Sequence, residues 1–492
     1  MAERARNLLQ RGVAAAEQGR VAAGLTLIDE SIALDPRDPE AHAQRARWLS
    51  RLYRTDEALA ATQQALALSP DRALTCDTLG VVLSRAGRHE RAVECFDRAT
   101  RLDPGNAVYH FNRAASLKFL GRFDESAAAY EACLARDPHF WRAHSALATT
   151  RRQTPQCNHV ARLEQLLGTP DLDPDAEWHL RHALARELED LGRDAESFAH
   201  LQAGNARKHA SVGYDPDRDR QLFGAVARLF ARELPAPDSD LKPDTPIFVV
   251  GLPRTGTTLV ERVLSSHSQV ASAGESQMFG ILLKRATRTR STQVLDLATL
   301  EASTRIDWAA LGRDYLAAVR PPGGRPRFVD KMPLNFFYLG HIARAWPNAR
   351  MVVLRRHPLD TGLSLFRQLF AANVAYYDYA RDLRAIGRYY AGFDALMRHW
   401  RSVLPGRIHE LHYEALVHDQ AGETRRLLEH CGLPWEEQCL AFERNPEAVA
   451  TASAVQVRQP LYAASVGRWR RFATQLQPLI EELERAGVVV PD

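Results

Sequence analysis

A short loop at residues 249–258, VVGLPRTGTT, contains residue types that bind phosphate. A P-loop reads G-x-x-x-x-G-K-[ST], and its lysine contacts the terminal phosphates of a nucleotide. Gly251 and Gly256 have this spacing, and Thr258 occupies the Ser/Thr position. Thr257, however, stands where the lysine belongs. The side chains left as anion donors are one arginine and three threonines: Arg254, Thr255, Thr257 and Thr258.

The missing lysine makes this loop poorly suited to ATP hydrolysis. In that reaction the lysine bridges the β- and γ-phosphates, and a Ser/Thr and an acidic strand end hold Mg²⁺. A 5′-phosphosulfate ends in a sulfuryl group, which carries less charge than a γ-phosphate. Because neutral donors and one arginine suffice for it without a metal ion, the loop favours a phosphosulfate over a triphosphate.

A second candidate anion site lies further along the chain, in RMVVLRRHPLDTGLSLF at residues 350–366. This pattern predicts a strand, a turn and a helix, with Pro358 in the first helical turn. Arg356 at the strand end and Ser364 on the helix could bind one phosphate, through the planar guanidinium and the hydroxyl. The two motifs together would hold a nucleotide that carries phosphates at its 5′ and 3′ positions.

Both motifs need a sheet to position them. Residues 247–250 form a continuously apolar run, which is typical of a strand buried on both faces, and residues 257–266 predict the following helix. In such strand–loop–helix units the backbone N–H groups and the helix N-terminus point at a bound anion. Residues 241–492 are therefore predicted to form an α/β, P-loop-like domain with a central parallel sheet.

The N-terminal third of the chain is a repeat array with a period of 34 residues. Two markers recur at this interval. One is a dipeptide that ends in Pro and begins at Asp35, Ser69, Asp103 and Asp137. The other is a dipeptide that ends in Arg and begins at Gly19, Tyr53, Gly87 and Gly121. Apolar residues at helical spacing lie between them, so each unit predicts two helices joined by a turn and ended by Pro. Such a hairpin resembles the tetratricopeptide repeat. Residues 1–155 are predicted to form an all-α solenoid.

The array could serve either of two purposes. The concave surface of a solenoid can bind a peptide or a partner protein, or the array can be a scaffold that only packs on its neighbour. Residues 156–240 predict a degenerate hairpin around Gly192 and a helical linker. The segment 234–246 is rich in Pro and Asp, and we place the domain boundary there.

Composition excludes several classes of function. The net charge of +4 over 492 residues gives no support for nucleic acid or an anionic membrane as a partner. Six cysteines without C-x-x-C or zinc spacing predict a reducing, cytoplasmic location and no metal site. No signal-peptide pattern is visible at the start, and no apolar run approaches ~18 residues, so no membrane span is expected.

The C-terminal half resembles the sulfotransferases that use 3′-phosphoadenosine 5′-phosphosulfate (PAPS). PRTGTT is similar to their 5′-phosphosulfate loop, P-[KR]-[ST]-G-T-T, and Arg356 to Ser364 is similar to their 3′-phosphate motif. The resemblance covers about 247–475 and is stronger to the tyrosylprotein and glycan branch than to the cytosolic phenol branch. It implies the sulfotransferase fold, PAPS as cofactor, 3′,5′-adenosine bisphosphate as product, and a peptide tyrosine, a sugar or a small metabolite as the hydroxyl-bearing acceptor.

The same resemblance implies roles for single residues. Glu275, in Gly274-Glu275, stands at the position of the branch's catalytic glutamate and is the candidate base for the acceptor's proton. Lys331, in the stretch DKMP, and Arg254 are candidates to stabilise charge on the leaving phosphate. Three residues further along the chain fall on cofactor-contacting positions: Tyr413, Ser453 and Arg468.

One departure and several alternatives stay open. Gln368 stands where the tyrosylprotein enzymes carry another arginine, and Arg355 is a candidate to replace it. Residues 371–379 could belong to a helical core or form a lid on the acceptor side. A nucleotide kinase or NTPase with a degenerate loop is the second candidate function, and a non-catalytic repeat scaffold is the third. Since repeat arrays often dimerise, a homodimer is also a candidate arrangement.

Overall fold

The structure is a computed structural model that describes residues 1–234, 245–291, 293–321, 324–370, 375–449, 451 and 453–491. Its contacts divide the chain into two compact units, residues 1–166 with 447–454, and residues 167–446 with 455–492. Most of the segment predicted as a linker, 235–244 within 234–246, lies outside the described residues. The same holds for 371–374 at the start of the segment considered as a lid.

The first unit consists of paired helices. They are α1 (Ala2–Glu17), α2 (Val21–Leu34), α3 (Pro39–Arg51), α4 (Thr55–Ala67), α5 (Ala73–Arg85), α6 (His89–Leu102), α7 (Ala107–Phe119), α8 (Phe123–Arg136), α9 (Trp141–Ala148) and α10 (Val160–Leu167). Each helix from α1 to α8 packs on its partner in a hairpin, which confirms the predicted all-α repeats.

The turns inside these hairpins explain the periodic glycines. Gly19, Gly87 and Gly121 adopt φ angles of 82°, 71° and 80°, a left-handed conformation that glycine reaches without steric cost. Tyr53 replaces glycine in the second hairpin and adopts φ 59°. The turn geometry therefore persists there, at the cost of a strained residue with a Cβ atom.

The second unit is built on a parallel sheet. In the described part of the chain its strands are β1 (Ile247–Gly251), β2 (Val270–Ser272), β3 (Arg327–Lys331), β4 (Arg350–Arg355) and β5 (Ile408–His412). Their order is β2-β3-β1-β4-β5, and every neighbouring pair is parallel. All residues of β1 and β3 are buried, as expected for strands covered on both faces. The predicted central parallel sheet is confirmed.

The described part of this unit also contains helices. They are α11 (Pro174–Asp190), α12 (Asp194–Val212), α13 (Pro216–Leu229), α14 (Thr257–Ser265), α15 (Met278–Thr287), α16 (Leu297–Ala302), α17 (Trp308–Val319), α18 (Leu339–Ala345), α19 (Pro358–Phe366), α20 (Leu383–Val403), α21 (Tyr413–His418), α22 (Gln420–His430) and α23 (Gln477–Arg485). In β1, Phe248 and Val250 pack into one apolar cluster, and Ile247 and Val249 pack into the other. Each fully buried side chain of this size contributes ~1.5–3 kcal/mol, so the strands form a rigid base for the loops.

The α11–α12 hairpin is fixed to the sheet unit by a buried amide. Asn205 Nδ2 donates to the carbonyl of Phe366 in α19 (2.7 Å), and Asn205 Oδ1 accepts from Trp178 Nε1 (2.9 Å). Because buried amides are costly to leave unpaired, this network fixes the hairpin against the helix that carries Ser364. The contacts thus group α11 to α13 with the sheet, while the predicted boundaries at 155/156 and 240/241 stay a prediction.

Candidate active site

Five of the predicted site residues lie at one edge of the sheet. Each lies at the carboxyl end of a different strand, where Lys331 is the last residue of β3 and the others follow their strands. In chain order they are Arg254, Glu275, Lys331, Arg356 and Tyr413. β3 and β4 flank β1, so the chain crosses from one side of β1 to the other between β3 and β4. In open parallel sheets ligands bind at the carboxyl edge beside such a switch point.

The loop after β1 is shaped by close packing. Gly256 adopts φ 109°, and a Cβ atom added there would lie 2.8 Å from Cδ2 of Tyr413, so only glycine permits this approach. The hydroxyl of Thr255 donates to the carbonyl of Leu252 (2.7 Å) and closes the loop on itself. Thr257 and Thr258 are buried and begin α14, where the first backbone N–H groups have no helical carbonyl to bond.

Arg254 and Arg356 lie close together at this edge. Arg356 Nη1 donates to the backbone carbonyl of Arg254 (3.2 Å), and its guanidinium lies 4.8 Å from the ring centroid of Tyr413. Burial and then the charge of Arg356 lower the pKa of Arg254 to about 10. A bound anion would relieve both effects, so the pair is suited to hold a phosphate or a phosphosulfate.

The segment after residue 455 packs on the same loops. The hydroxyls of Tyr413 and Ser465 are 2.7 Å apart, and Arg356 Nη2 donates to the carbonyl of Ser465. The N–H groups of Gly467 and Trp469 donate to the carboxylate of Asp360 in α19 (2.7 and 2.9 Å). The structure therefore brings this segment together with the Arg356 motif.

Arg468 has a partner that the sequence did not indicate. Its guanidinium donates to Glu189 of α11, and Arg367 at the end of α19 pairs with the same carboxylate. Burial and then the neighbouring arginine Arg468 lower the pKa of Arg367 well below its usual range. Sequence reasoning could not identify Glu189, because it lies far in the chain from Arg367 and Arg468 and belongs to no motif.

The remaining predicted cofactor residues differ in their surroundings. Ser364 lies half-buried on α19. Ser453 lies in the segment 447–454, which the contacts assign to the first unit, and its N–H donates to Thr451 Oγ1 (3.2 Å). Arg355, the candidate replacement for an arginine at Gln368, pairs with Asp394 and lies over the ring of Phe393.

Lys331 forms the centre of a buried charge network. Its fully buried ammonium donates to Glu275 Oε1 and lies 3.4 Å from Glu261 Oε2, and Ser272 Oγ donates to Glu261 Oε1 (2.5 Å). Burial lowers the pKa of Lys331, but the two carboxylates outweigh burial and raise it overall. Glu275 alone opens to solvent, with 41% of its side chain exposed. The lysine thus stays charged directly beside the candidate base.

The backbone holds the Glu275 loop in place. The N–H of Lys331 donates to the carbonyl of Gly274 (3.1 Å), and the N–H of Gly274 donates to Ser272 Oγ (3.0 Å). Asp330 faces away from this network, where it accepts a hydrogen bond from Tyr315 and its burial raises its pKa to about 7. We therefore regard Asp330 as structural.

Glu261 is the second residue that sequence reasoning missed. It follows the phosphate loop on α14 and is buried, although nothing in its sequence neighbourhood distinguishes it from an exposed helical carboxylate. Only the folded chain places it against Lys331.

Replacing Glu261 with glutamine is expected to lower the free energy of unfolding by about 1–3 kcal/mol, because a buried ammonium loses one of two carboxylates. Urea unfolding measures this change. In a Lys331→Met background, Glu261→Gln should not lower the free energy of unfolding. Without the ammonium, Glu261 and Glu275 are two neighbouring negative charges, and the replacement removes one of them. An equal loss in both backgrounds would show that Glu261 does not act through Lys331.

A cavity of about 160 Å³ lies beside Glu275, and Met332, Leu334 and Tyr377 are among the residues that line it.

Within the described ranges, no group of three or more His, Cys, Asp or Glu side chains is placed to hold a metal ion. None of the helices in the described part of the chain is both long and apolar enough to cross a membrane.

Comparison with known proteins supplies the family context. Residues 246–437 match the family model described as "Sulfotransferase family", and residues 73–106 and 107–140 match tetratricopeptide repeat models. An uncharacterized protein of Aquifex aeolicus (strain VF5) is 34% identical over 333 residues, covering 65% of this chain and 43% of that protein. A protein-tyrosine sulfotransferase of Drosophila melanogaster is 22% identical over 233 residues, covering 45% and 46%. The chain thus spans less than half the length of these relatives.

Among solved structures, the crystal structure of PilW, a type IV pilus biogenesis factor, matches with a TM-score of 0.33 and 22% identity. The match covers 40% of this chain and 92% of that chain.

Proposed function

We propose that this chain, which carries a sulfotransferase family domain after its tetratricopeptide repeats, transfers a sulfuryl group from PAPS to an acceptor hydroxyl. One observation carries the proposal. The carboxyl edge of one parallel sheet combines a paired-arginine anion site, Arg254 with Arg356, and a carboxylate–ammonium pair, Glu275 with Lys331. The first pair suits the phosphates of the donor, and the second suits proton transfer and charge neutralisation.

The residues at this edge fit the cofactor that the family implies. Arg254, the N-terminus of α14 and the hydroxyls of Thr257 and Thr258 are proposed to hold the 5′-phosphosulfate, and Arg356 and Ser364 the 3′-phosphate. Support comes from the lowered pKa of Arg254, because burial and then the nearby charge of Arg356 both disfavour its charged form and a bound anion would favour it. When bound, PAPS supplies the sulfuryl group and leaves as the bisphosphate.

The remaining residues are proposed to assist the transfer. Glu275 takes the proton of the acceptor hydroxyl as the acceptor oxygen bonds to sulfur and the bond from sulfur to the 5′-phosphate oxygen breaks. Lys331 and Arg254 neutralise the charge that develops on the departing phosphate. Glu261 keeps Lys331 paired once Glu275 has become neutral. No metal ion is needed in this scheme.

The repeats and the acceptor complete the proposal. Tetratricopeptide repeats serve protein–protein interaction, so a peptide or protein ligand in the groove is proposed, with a homodimer as an alternative use. A cytoplasmic location, the contribution of Ser453 and Tyr413 to cofactor binding, and the role of Arg468 remain predictions.

The direct test is turnover of PAPS. We expect the purified protein to convert PAPS to 3′,5′-adenosine bisphosphate only when a hydroxyl-bearing acceptor is present, and EDTA to leave the rate unchanged. Mass spectrometry of the acceptor should show one added sulfuryl group. Hydrolysis of ATP that requires Mg²⁺, without use of PAPS, would support the kinase or NTPase alternative. Turnover of neither would support the scaffold alternative.

A further inference from the structure

The cavity beside Glu275 has the size of one small ring. Its volume is about 160 Å³, and a cavity of about 150 Å³ in another protein binds benzene. Most of its wall is apolar or aromatic, with Val294, Leu295, Met332, Leu334, Tyr376 and Tyr377. The same cavity is lined by the candidate base Glu275, so a molecule bound here would bring a hydroxyl within reach of the carboxylate.

Two polar groups of the cavity wall lack partners. Asn335 and Tyr338 are 2% and 4% exposed, and among the described residues neither Asn335 Nδ2 nor the Tyr338 hydroxyl has a hydrogen-bond partner. Buried polar groups are usually hydrogen-bonded, and these two line the same cavity, so a ligand bound there would supply both with a partner. The Tyr338 hydroxyl borders the cavity at Gly280, because a Cβ atom added to Gly280 would lie 3.0 Å from it.

Two other polar groups near the cavity have hydrogen-bond partners. The hydroxyl of Tyr376, also in the wall, accepts a hydrogen bond from the N–H of Leu295 (2.9 Å). Trp400 Nε1 donates to the carbonyl of Phe336, directly after Asn335 (2.9 Å). Burial raises the pKa of Tyr338, so its hydroxyl stays protonated and can donate. Asn335 Nδ2 and the Tyr338 hydroxyl are therefore two donors at the cavity wall with which a ligand could pair.

We propose that this cavity binds the acceptor as a small molecule with a single ring, which carries the reactive hydroxyl and a second, uncharged hydrogen-bond-accepting group for Asn335 and Tyr338. A carbonyl or ether oxygen would serve as the second group. The proposal rests on the proposed sulfuryl transfer, because it assigns the acceptor of that reaction.

The lining disfavours the other acceptor classes. A sugar carries hydroxyls around its whole ring, and those facing the apolar part of the wall, away from Glu275, Gln277 and Asn335, would stay unpaired. A tyrosine side chain has a single polar atom, so Asn335 and Tyr338 would stay unpaired when it bound. A carboxylate ligand would meet no cation, since Glu275 is the charged residue among those that line the cavity in the described part of the chain.

A set of matched probes tests this acceptor class. We would measure bisphosphate release from PAPS with phenol, 4-hydroxyacetophenone, 4-hydroxybenzoate, a tyrosine-containing peptide and methyl glucoside. We expect kcat/KM for 4-hydroxyacetophenone to exceed that for phenol by on the order of tenfold, through the hydrogen bonds to its carbonyl. Hydroxybenzoate, the peptide and the glucoside should all be poorer than 4-hydroxyacetophenone.

Two variants test whether Asn335 and Tyr338 cause the preference for 4-hydroxyacetophenone over phenol. Asn335→Leu, which keeps the side-chain volume, should remove most of the advantage of 4-hydroxyacetophenone and leave kcat/KM for phenol within about twofold. Tyr338→Phe, which removes one oxygen, should act in the same direction. It keeps the proposal testable if Asn335→Leu does not fold. Both should bind 3′,5′-adenosine bisphosphate as the wild type does, because neither residue belongs to the proposed phosphate site.

Two sets of outcomes overturn the proposal in different ways. Equal kcat/KM for phenol and 4-hydroxyacetophenone, or a higher value for the peptide or the glucoside, would refute the acceptor class while PAPS turnover remained intact. Equal loss for both phenols in both variants would assign Asn335 and Tyr338 to structure alone. If the wild type neither bound the bisphosphate nor consumed PAPS, the proposed function itself would fail, and this inference with it.

Discussion

Replacing Arg356 with alanine should weaken the binding of 3′,5′-adenosine bisphosphate by about 30-fold or more. Arg356 is the charged partner proposed for the 3′-phosphate, and loss of one partner of a desolvated charge pair costs 2–5 kcal/mol or more as an order of magnitude. The side chain also donates to the backbone of Arg254 and of Ser465, so its loss loosens both loops around the phosphate. Isothermal titration calorimetry measures the affinity directly.

Two further variants make this test specific. Arg356→Lys keeps the charge but loses the planar fork, so its affinity should lie between those of the wild type and the alanine variant. Arg401→Ala removes the same charge from an exposed position, where the side chain is 53% exposed and pairs with Glu410. Its affinity should stay within about twofold of the wild type. Wild-type affinity in Arg356→Ala would remove Arg356 from the phosphate site.

Replacing Glu275 with glutamine should lower kcat by about 10²–10⁴-fold, the range that a positioned general base contributes. The affinity for the bisphosphate should change by less than about threefold, because Glu275 is proposed to contact the acceptor and not the nucleotide phosphates. The variant should stay folded, since Lys331 keeps Glu261 as a partner. Steady-state turnover of PAPS with 4-hydroxyacetophenone and calorimetry with the bisphosphate give the two numbers.

A control separates the base from a general loss of charge. Glu301→Gln removes an exposed carboxylate from the same unit and should leave kcat unchanged. If Glu275→Gln lost binding and turnover in equal proportion, its role would be structural. If it kept full turnover, another group would have to accept the proton.

Much of the fold could be predicted because it depends on local patterns. The 34-residue spacing of the turn glycines is set by helix lengths within each hairpin, and the φ angles of Gly19, Gly87 and Gly121 show why glycine recurs. The apolar run at β1 is buried on both faces, as a central parallel strand must be. The grouping of α11 and α12 with the sheet could not be predicted from the sequence, because it depends on a contact between Asn205 and Phe366, which are distant in the chain.

The candidate site divides in the same way. Arg254 and Arg356 could be named because each follows a strand in a short motif, and parallel strands bring their carboxyl ends to one edge. Glu261 and Glu189 could not be named, because their roles arise from partners distant in the chain: Lys331 for the first, Arg367 and Arg468 for the second. Asn335 and Tyr338 likewise could not be named from the sequence, because only the fold shows that their polar groups have no hydrogen-bond partner among the described residues.

Calorimetric titration of the purified protein with 3′,5′-adenosine bisphosphate tests the central claim most directly, with ATP plus Mg²⁺ as the matched comparison. The bisphosphate carries the two anionic groups for which Arg254 and Arg356 are proposed, and it needs no acceptor. We predict tight binding that EDTA does not alter and binding of ATP that is much weaker. Binding of ATP with Mg²⁺ alone, or of neither nucleotide, would contradict the sulfotransferase account.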